Sequence, residues 1–178
     1  MSFKFGNLEF KPALENTHLV PETVKTFLEK WPLAKEVLVA EVDPDFTDSA
    51  AFCEKYNILP TQGANCLIIE VKRAGLSSYA VCLVPIAARA NLNNVVRKFL
   101  NAKGISMASR DFAVERSQME FGSITVLGLP SDWQILIDEK LLSVPNLVIG
   151  GGLRKSKLLI RGKLLSELPN AQIVPGLT

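Results

Sequence analysis

Two near-continuous apolar segments, separated by a short polar one, constrain the fold of this chain more than any other feature. The first is Cys66–Val71 and the second is Tyr79–Val84. Both have strand-like length and are rich in β-branched residues, and the intervening Lys72–Ser78 is mostly polar and contains a glycine. Such a pattern is typical of two strands joined by a turn. The sequence therefore predicts a buried β-hairpin.

The residues on either side of this hairpin predict helices and further short strands. In Pro21–Trp31 the apolar side chains recur with the spacing of one helical face, and Pro32 ends the segment. Asp48 is placed to cap a second helix that runs to about Tyr56. Other helices are predicted at Asn91–Leu100, after Ser109 and at Arg161–Leu168, and short strands at Glu36–Val42, Ile135–Ile137, Leu147–Ile149, Leu158–Ile160 and Gln172–Val174.

Short strands with interspersed helices and hairpin connections predict an α+β fold, a single domain with a mixed, curved β-sheet and surrounding helices. Residues 1–60 are expected to be a helical and strand extension of the same domain, and residues 61–178 its main part, because no Pro- or Ser-rich linker divides them. No GxGxxG motif follows a strand and opens a helix, which argues against a dinucleotide-binding fold.

The composition excludes several classes of function. The 178 residues are 48% hydrophobic and 21% charged, and they include neither a membrane-length apolar segment nor a signal-peptide core. A net charge of +2 is too small for a wide duplex-binding surface but permits contact with a short nucleic-acid end. Cys53, Cys66 and Cys82 form no CxxC pair, and reduced thiols in a cytoplasmic protein are the simplest account of them.

Metal-dependent and cofactor-dependent chemistry is not expected. The single histidine, His18, stands alone in a polar stretch, and no Cys/His cluster is present. A Ser–His or Cys–His nucleophile is disfavoured for the same reason. Cys66, in the middle of an apolar strand, is interpreted as a core residue. The sequence leaves the oligomeric state open.

Two glycine-marked segments are the best candidates for a binding site. We call them the first glycine loop (Gly122–Pro130) and the second glycine segment (Val148–Lys157). Glycine lets the backbone approach a ligand closely, so amides within Ser123–Thr125 or Gly150–Gly152 could face an anionic or carbonyl oxygen. Tight turns between strands are the alternative interpretation. Basic residues follow from Arg154 onward, either as a solvated face or as a phosphate contact.

Together with the surrounding strands, these segments resemble the YbaK-type family, which includes the prolyl-tRNA editing domain and free-standing aminoacyl-tRNA deacylases. The resemblance begins near Asp48 and is strongest from Asn65 to Val174. Its motifs are Tyr79–Pro85, Asn91–Leu100, Gly122–Pro130, Ile135–Asp138, Val148–Lys157 and Leu158–Ile160. The resemblance implies a YbaK-like fold, hydrolysis of the ester of mischarged tRNA, and the aminoacyl-tRNA acceptor end as partner.

Two positions depart from the family pattern. The first loop of the family commonly runs Gly-x-x-x-Pro, and Val126 stands where the proline is expected. Many members also carry a functional lysine in a Lys-Thr-Leu run. The corresponding residues here are Asn65-Cys66-Leu67, so Asn65 replaces that lysine. Asparagine donates and accepts hydrogen bonds but supplies no charge.

The candidate catalytic residues are Asn65, Gly122, Ser123, Ile124 and Thr125, since main-chain amides of the loop would stabilise the oxyanion of a hydrolysed ester. The candidate substrate-binding residues are Gly150, Gly151, Gly152, Lys155, Ser156, Lys157 and Asp138.

Within the second group, Lys155 and Lys157 are the nearest replacements for the missing charge. Thr125 and Ser156 could bind a substrate amine or hydroxyl, or could stabilise turns. For Asp138, capping the following helix is the alternative role.

Three functions stay open at this point. The leading hypothesis is a free-standing deacylase of mischarged tRNA. The second is a non-catalytic module that binds an aminoacyl-tRNA acceptor end or a related nucleotide. The third is a site for another small molecule that the sequence does not name. The site hypothesis requires both glycine segments to meet at one cavity.

Overall fold

The computed structural model describes residues 2–178 and contains ten strands and four helices, connected by loops and short 3₁₀ turns. The strands are β1 (Phe3–Phe5), β2 (Leu8–Pro12), β3 (Leu38–Glu41), β4 (Ala64–Arg73), β5 (Leu76–Pro85), β6 (Gly104–Met107), β7 (Gln134–Asp138), β8 (Leu147–Gly150), β9 (Ser156–Ile160) and β10 (Ala171–Val174). The helices are α1 (Glu22–Lys30), α2 (Ser49–Tyr56), α3 (a π-helical turn at Leu92–Val96 continued by Arg97–Phe99) and α4 (Arg110–Ser117).

The predicted hairpin is the longest strand pair of the described residues. β4 and β5 are antiparallel over their full length, from Ala64 opposite Pro85 to Arg73 opposite Leu76. The turn between them places Ala74 and Gly75 at positive φ, as tight hairpin turns require. The predicted helix at Arg161–Leu168 is instead a 3₁₀ helix at Gly162–Glu167.

The strands form two five-stranded sheets, with the orders β1-β2-β3-β9-β8 and β10-β7-β5-β4-β6. β7 pairs in parallel with both β5 and β10, and the other neighbours are antiparallel. The predicted α+β fold with a mixed, curved sheet is therefore confirmed. The residues before 61 contribute three strands to the first sheet.

The main hydrophobic core lies between the two sheets and includes Val24 and Leu28 of α1. The outer face of the first sheet packs on Phe52 and Cys53 of α2. The outer face of the second sheet packs on α3. Each sheet is thus covered on both faces, which explains why β4 and β5 are almost continuously apolar. Among residues 2–178, no helix has the length and apolar content that crossing a membrane would need.

The two sheets meet at one edge and then separate. Gly63 and Val148 form an isolated parallel bridge between them. β6 covers the edge of β4 only as far as Ile69, with a last hydrogen bond from Ala108 N to Ile68 O at 3.0 Å. Strand alternation places the main-chain groups of Cys66 at this same edge, beyond the end of β6. A cleft opens there between β4 and β8.

Candidate functional site

The cleft between β4 and β8 has a volume of about 510 Å³. It is lined by the edges of β4 and β8, by the beginning of α2 and by the first glycine loop. Asp48 caps α2 as predicted, because its Oδ1 accepts hydrogen bonds from the amides of Ala50 and Ala51 at 3.0 and 3.2 Å. This cap fixes the start of α2 beside the cleft.

The first glycine loop and the second glycine segment are in direct contact. Gly152 N donates to Ser123 O at 2.7 Å, and Glu120 N donates to Gly152 O at 2.8 Å. A Cβ atom on Gly150 would lie 2.4 Å from Ser123 O and 2.6 Å from Ile124 O, so only glycine permits this approach. The two segments therefore lie on the same side of the molecule, beside one cleft.

Within the first glycine loop, the amides of two cleft-lining residues, Gly122 and Ile124, make no hydrogen bond within residues 2–178. The Ser123 amide donates to Glu120 O at 3.0 Å, and the Thr125 amide is directed at Met119 Sδ at 3.4 Å. Ile124, which lies between them and lines the cleft, makes no amide hydrogen bond within residues 2–178. Its N–H therefore has no partner among the described residues. Gly122 also lines the cleft, with φ at +85°.

Ser123 and Thr125 do not line the cleft. They are 1% and 0% exposed, and their hydroxyl oxygens have no hydrogen-bond partner within the described residues. Their side chains face the protein interior because Ile124 takes the position toward the cleft. Of the four loop residues predicted to act on the substrate, Gly122 and Ile124 line the cavity, whereas Ser123 and Thr125 do not.

The second glycine segment contributes two of its predicted residues, Gly150 and Lys157, to the cleft. Gly151 packs against Ser156, whose buried hydroxyl donates to Leu153 O at 3.4 Å. Gly152, at a φ of +83°, packs against Pro21. Lys155 is exposed outside the cleft. These four residues shape the turn that carries Gly150 and Lys157.

Lys157 is the unusual charged group of the cleft. The residue is 9% exposed, and its Nζ lies 4.8 Å from the centre of the Phe52 ring. No carboxylate lies within 4 Å of this ammonium in residues 2–178, and it makes no hydrogen bond there. Burial lowers the pKa of the Lys157 ammonium. Because buried charges are normally paired, an unpaired one in a cleft is typical of a functional site.

Asn65 lies on the β4 side of the cleft and is half-buried. Its Oδ1 accepts a hydrogen bond from the Ser49 hydroxyl at 2.8 Å. Ser49 is the first residue of α2, so the capped helix holds the amide group in place. The Asn65 Nδ2 group makes no hydrogen bond within residues 2–178 and is free to donate.

Asp138 lies outside the cleft. It is fully buried, its Oδ1 accepts from Lys140 N at 2.8 Å, and its Oδ2 accepts from the Thr178 hydroxyl at 2.5 Å. These bonds cap the 3₁₀ helix at Glu139–Ser143 and fasten the last described residue. The structure therefore gives Asp138 the capping role that its sequence position left as an alternative.

Several residues outside the predicted catalytic and substrate-binding sets also line the cleft. Arg154 stands at the rim, where its Nη2 and Nε donate to Pro44 O at 2.8 and 3.3 Å. Phe121 and Met107 are exposed at the mouth. The basic run from Arg154 onward gave a partial signal for the first. Nothing in the local sequence predicts that Phe121 and Met107 line the cleft, because their exposure depends on where the two sheets separate.

The cleft contains no thiol suited to nucleophilic attack. Cys66 lines it, but burial raises the pKa of the Cys66 thiol far above neutrality. Residues 2–178 include no group of three or more His, Cys, Asp or Glu side chains arranged to hold a metal ion. The polar groups of the cleft include the Ile124 amide, the Asn65 amide group and the Lys157 ammonium, together with the Asp48 carboxylate that caps α2.

Comparison with known proteins identifies this architecture. The sequence model of the aminoacyl-tRNA editing domain family matches residues 43–168. A solved structure of a candidate trans-editing enzyme for prolyl-tRNA synthetase superimposes with a TM-score of 0.74 at 16% identity, and the match covers 88% of this chain and 97% of the other. A solved hypothetical protein also has a TM-score of 0.74, at 17% identity and with 85% and 97% covered.

Comparison with curated protein sequences finds no significant match. At identities below one fifth, the structural likenesses establish a shared YbaK-like fold. The family assignment rests on the sequence match, which spans well over half of the residues and includes both strand edges and both glycine segments of the cleft. The chain belongs to the aminoacyl-tRNA editing domain family.

Proposed function

We propose that this protein is a trans-acting deacylase that hydrolyses the ester between an amino acid and a mischarged tRNA. Its family and its fold support a deacylase-like function. The observation that carries the proposal is the pairing of a free Ile124 amide and an unpaired, buried Lys157 ammonium at one cleft.

The proposed reaction needs little more than positioned donors. Water adds to the ester carbonyl carbon, the bond from that carbon to the ribose oxygen breaks, and the ribose oxygen takes up a proton. Negative charge develops on the carbonyl oxygen as water adds. The Ile124 amide donates to this oxygen in the proposed complex, and a fixed donor of this kind typically contributes about 3–4 kcal/mol to barrier lowering.

Lys157 supplies the positive charge that Asn65 lacks. The lysine of the family pattern would stand on β4, whereas Lys157 reaches the same cleft from β9. In a site with little water its charge stabilises the developing oxyanion more strongly than it would at the surface. Asn65, held by Ser49, keeps a neutral donor on the β4 side, which we assign to orienting the attacking water or the ribose.

The deeper wall of the cleft is apolar, with Ala64, Ile68, Ala113 and Ile149 among its residues. It suits a small uncharged amino-acid side chain, because no group there would pair with a charged one. We assign Arg154, which stands at the rim, to the contact with a phosphate of the acceptor end. As charged tRNA is a cytoplasmic substrate, we propose that the protein acts in the cytoplasm.

The test is a deacylation assay on a panel of correctly charged and mischarged tRNAs. Purified protein is expected to accelerate ester loss above the buffer rate for a small uncharged amino acid on a non-cognate tRNA. Correctly charged tRNAs in the same panel serve as controls. No acceleration for any member of the panel would contradict the proposal.

A second function is favoured by the Asn65 and Val126 departures from the family pattern: a module that binds an aminoacyl-tRNA acceptor end without hydrolysis. It is tested by titrating the protein with an acceptor-stem RNA that carries a non-hydrolysable amide in place of the ester. Salt-sensitive binding of this RNA together with no ester loss in the panel would identify the binding module. Hydrolysis in the panel would exclude it.

A further inference from the structure

The mouth of the cleft carries two exposed apolar side chains that the proposed hydrolysis does not use. Phe121 is 50% exposed and Met107 is 54% exposed, and both line the cleft. The other large exposed hydrophobic residues described lie elsewhere on the surface: Phe3, Leu14, Leu59, Leu76 and Phe99. Exposure of an aromatic ring at the entrance to a polar site needs a physical explanation.

The backbone on both sides of Phe121 is fixed. The preceding Glu120 amide donates to Gly152 O at 2.8 Å, and Glu120 O accepts from Ser123 N at 3.0 Å. The Glu120 carboxylate also accepts from the Arg154 amide. Phe121 therefore stands on the same hydrogen-bonded junction that joins the two glycine segments, and its position is set by the parts that form the cleft.

The ring itself is held by a cation. The guanidinium carbon of Arg110, at the start of α4, lies 4.9 Å from the centre of the Phe121 ring, within the range of a cation–π contact. Arg110 is exposed, so its charge also faces solvent at the cleft mouth. An ordered, half-exposed aromatic ring next to an arginine is the combination that binds a nucleobase and its phosphate.

We propose that Phe121 is the stacking platform for the base of the 3′-terminal nucleotide, with Arg110 and Arg154 near its phosphate. This inference rests on the proposed function, because an ester held at Ile124 and Lys157 has its ribose and base at the cleft mouth. Stacking on a ring tolerates any base, so the platform would bind an end shared by different tRNAs.

The experiment is a two-by-two binding comparison with uncharged acceptor-stem RNA. One RNA ends in an intact terminal nucleotide, and the other carries an abasic sugar at the same position. Both are titrated against the wild type and the Phe121→Leu variant. Base removal is expected to weaken binding to the wild type by roughly 5- to 150-fold, and to change binding to Phe121→Leu by less than about 2-fold.

Phe99→Leu is the matched control, because Phe99 is 45% exposed and lies outside the cleft. It should show the full effect of base removal, and so should Phe121→Trp. Circular dichroism checks that each variant folds. The proposal is overturned if the intact and abasic RNAs bind the wild type equally, or if Phe121→Leu keeps the full base effect.

The RNA in this comparison carries no ester, so its outcome does not depend on hydrolysis. A wild-type protein that deacylates nothing but shows the Phe121-dependent base effect would remove the deacylase proposal and keep the stacking platform. A wild-type protein that deacylates but shows no such effect would remove the stacking platform and keep the deacylase proposal.

Discussion

The first glycine loop and the second glycine segment are both marked by glycine, yet the structure uses them differently. In the first, the backbone turns so that the Ile124 amide is free at the cleft. In the second, Gly150, Gly151 and Gly152 are glycines because other main-chain and side-chain atoms occupy the space of a Cβ. The three consecutive glycines thus serve packing, and the segment brings the charged side chains of Arg154 and Lys157 to the cleft.

This difference shows that a glycine-rich stretch has two physical explanations that sequence alone does not separate. Glycine permits close approach whether the approaching atom belongs to a ligand or to the protein itself. The distinguishing observation is which amides already have partners. In this chain the Gly152 amide donates to Ser123 O of the first glycine loop, whereas the Ile124 amide has no partner among the described residues.

The largest effect on activity is expected from the charge of the second segment. Lys157→Met should lower kcat/KM for deacylation by about 100- to 1,000-fold, because the oxyanion loses its nearest cation. Lys155→Met is the matched control and should leave kcat/KM near the wild-type value, since Lys155 is exposed outside the cleft. Single-turnover assays on a mischarged tRNA measure both.

A double variant sharpens this prediction. Asn65→Lys in the Lys157→Met background restores one positive charge from the β4 side and should recover at least about 10-fold of the lost activity. In the wild-type background the same change places two ammonium groups in one cleft, so it should lower activity through like-charge repulsion. Equal activity of Lys157→Met and wild type would contradict the assigned role of Lys157.

The contact between the two segments predicts the next largest effect. Gly150→Ala places a Cβ atom 2.4 and 2.6 Å from the Ser123 and Ile124 carbonyl oxygens, so the first loop must move. We expect the free energy of unfolding to fall by about 1–3 kcal/mol, and deacylation to fall by about 10- to 100-fold as Ile124 is displaced.

Gly104→Ala is the matched control for that change. Its nearest contact would be Lys72 Cβ at 4.0 Å, and its φ is not in the left-handed region, so both stability and activity should stay close to wild type. Urea denaturation and the deacylation assay measure the two quantities. A Gly150→Ala protein as stable and active as Gly104→Ala would show that neither stability nor activity depends on the contact between the two glycine segments.

Burial of Lys157 predicts how activity and stability depend on pH. Desolvation lowers the pKa of Lys157 from its usual 10.5, so the ammonium loses its proton at a lower pH than an exposed lysine does. The part of the deacylation rate that exceeds the buffer rate should therefore decrease as the pH rises past this lowered pKa. Between the folded and unfolded pKa values the unfolded chain binds more protons. The contribution of Lys157 to stability therefore becomes more favourable with rising pH in that interval.

Lys157→Met should remove the contribution of Lys157 to the pH dependence of activity and to the pH dependence of stability. The variant should be at least as stable as wild type near neutral pH, since it no longer buries an unpaired charge. Thermal denaturation and deacylation from about pH 7 to about pH 10 compare the two proteins. A variant less stable than wild type, or one whose deacylation depends on pH as the wild type's does, would contradict the claim that Lys157 is a desolvated cation of the site.

The smallest effect on activity is expected at Asp138. Asp138→Ala removes the cap of the Glu139–Ser143 turn and the bond to Thr178, and should lower the free energy of unfolding by about 0.5–2 kcal/mol. Because Asp138 lies outside the cleft, deacylation by the folded variant should equal that of wild type. A loss of activity without a loss of stability would indicate that Asp138 belongs to the functional site.

Local chemistry determined the parts of the fold that could be predicted from sequence. The β4–β5 hairpin, the Asp48 cap and the amphipathic α1 each depend on residues close together in the chain. The site depends on distant pairs, which a single sequence does not display. The cleft forms because β4 and β8 separate beyond Gly63, and no sequence feature near Gly63 predicts this separation.

The two lysines illustrate the same limit. Lys155 and Lys157 are two residues apart, and regular strand alternation would place them on the same side. β9 begins only at Ser156, so Lys155 belongs to the preceding turn and faces solvent while Lys157 enters the cleft. The sequence therefore identified the pair of candidates but not the one that reaches the site.

The central claim is that the free Ile124 amide and the Lys157 ammonium together hold the acyl linkage. A crystal structure with an adenosine that carries a small amino acid through a non-hydrolysable 3′-amide tests it most directly. We predict that the acyl oxygen accepts a hydrogen bond from Ile124 N and lies beside Lys157 Nζ in the β4–β8 cleft. An analogue bound outside this cleft, or bound in the cleft with its acyl group far from both donors, would contradict the account.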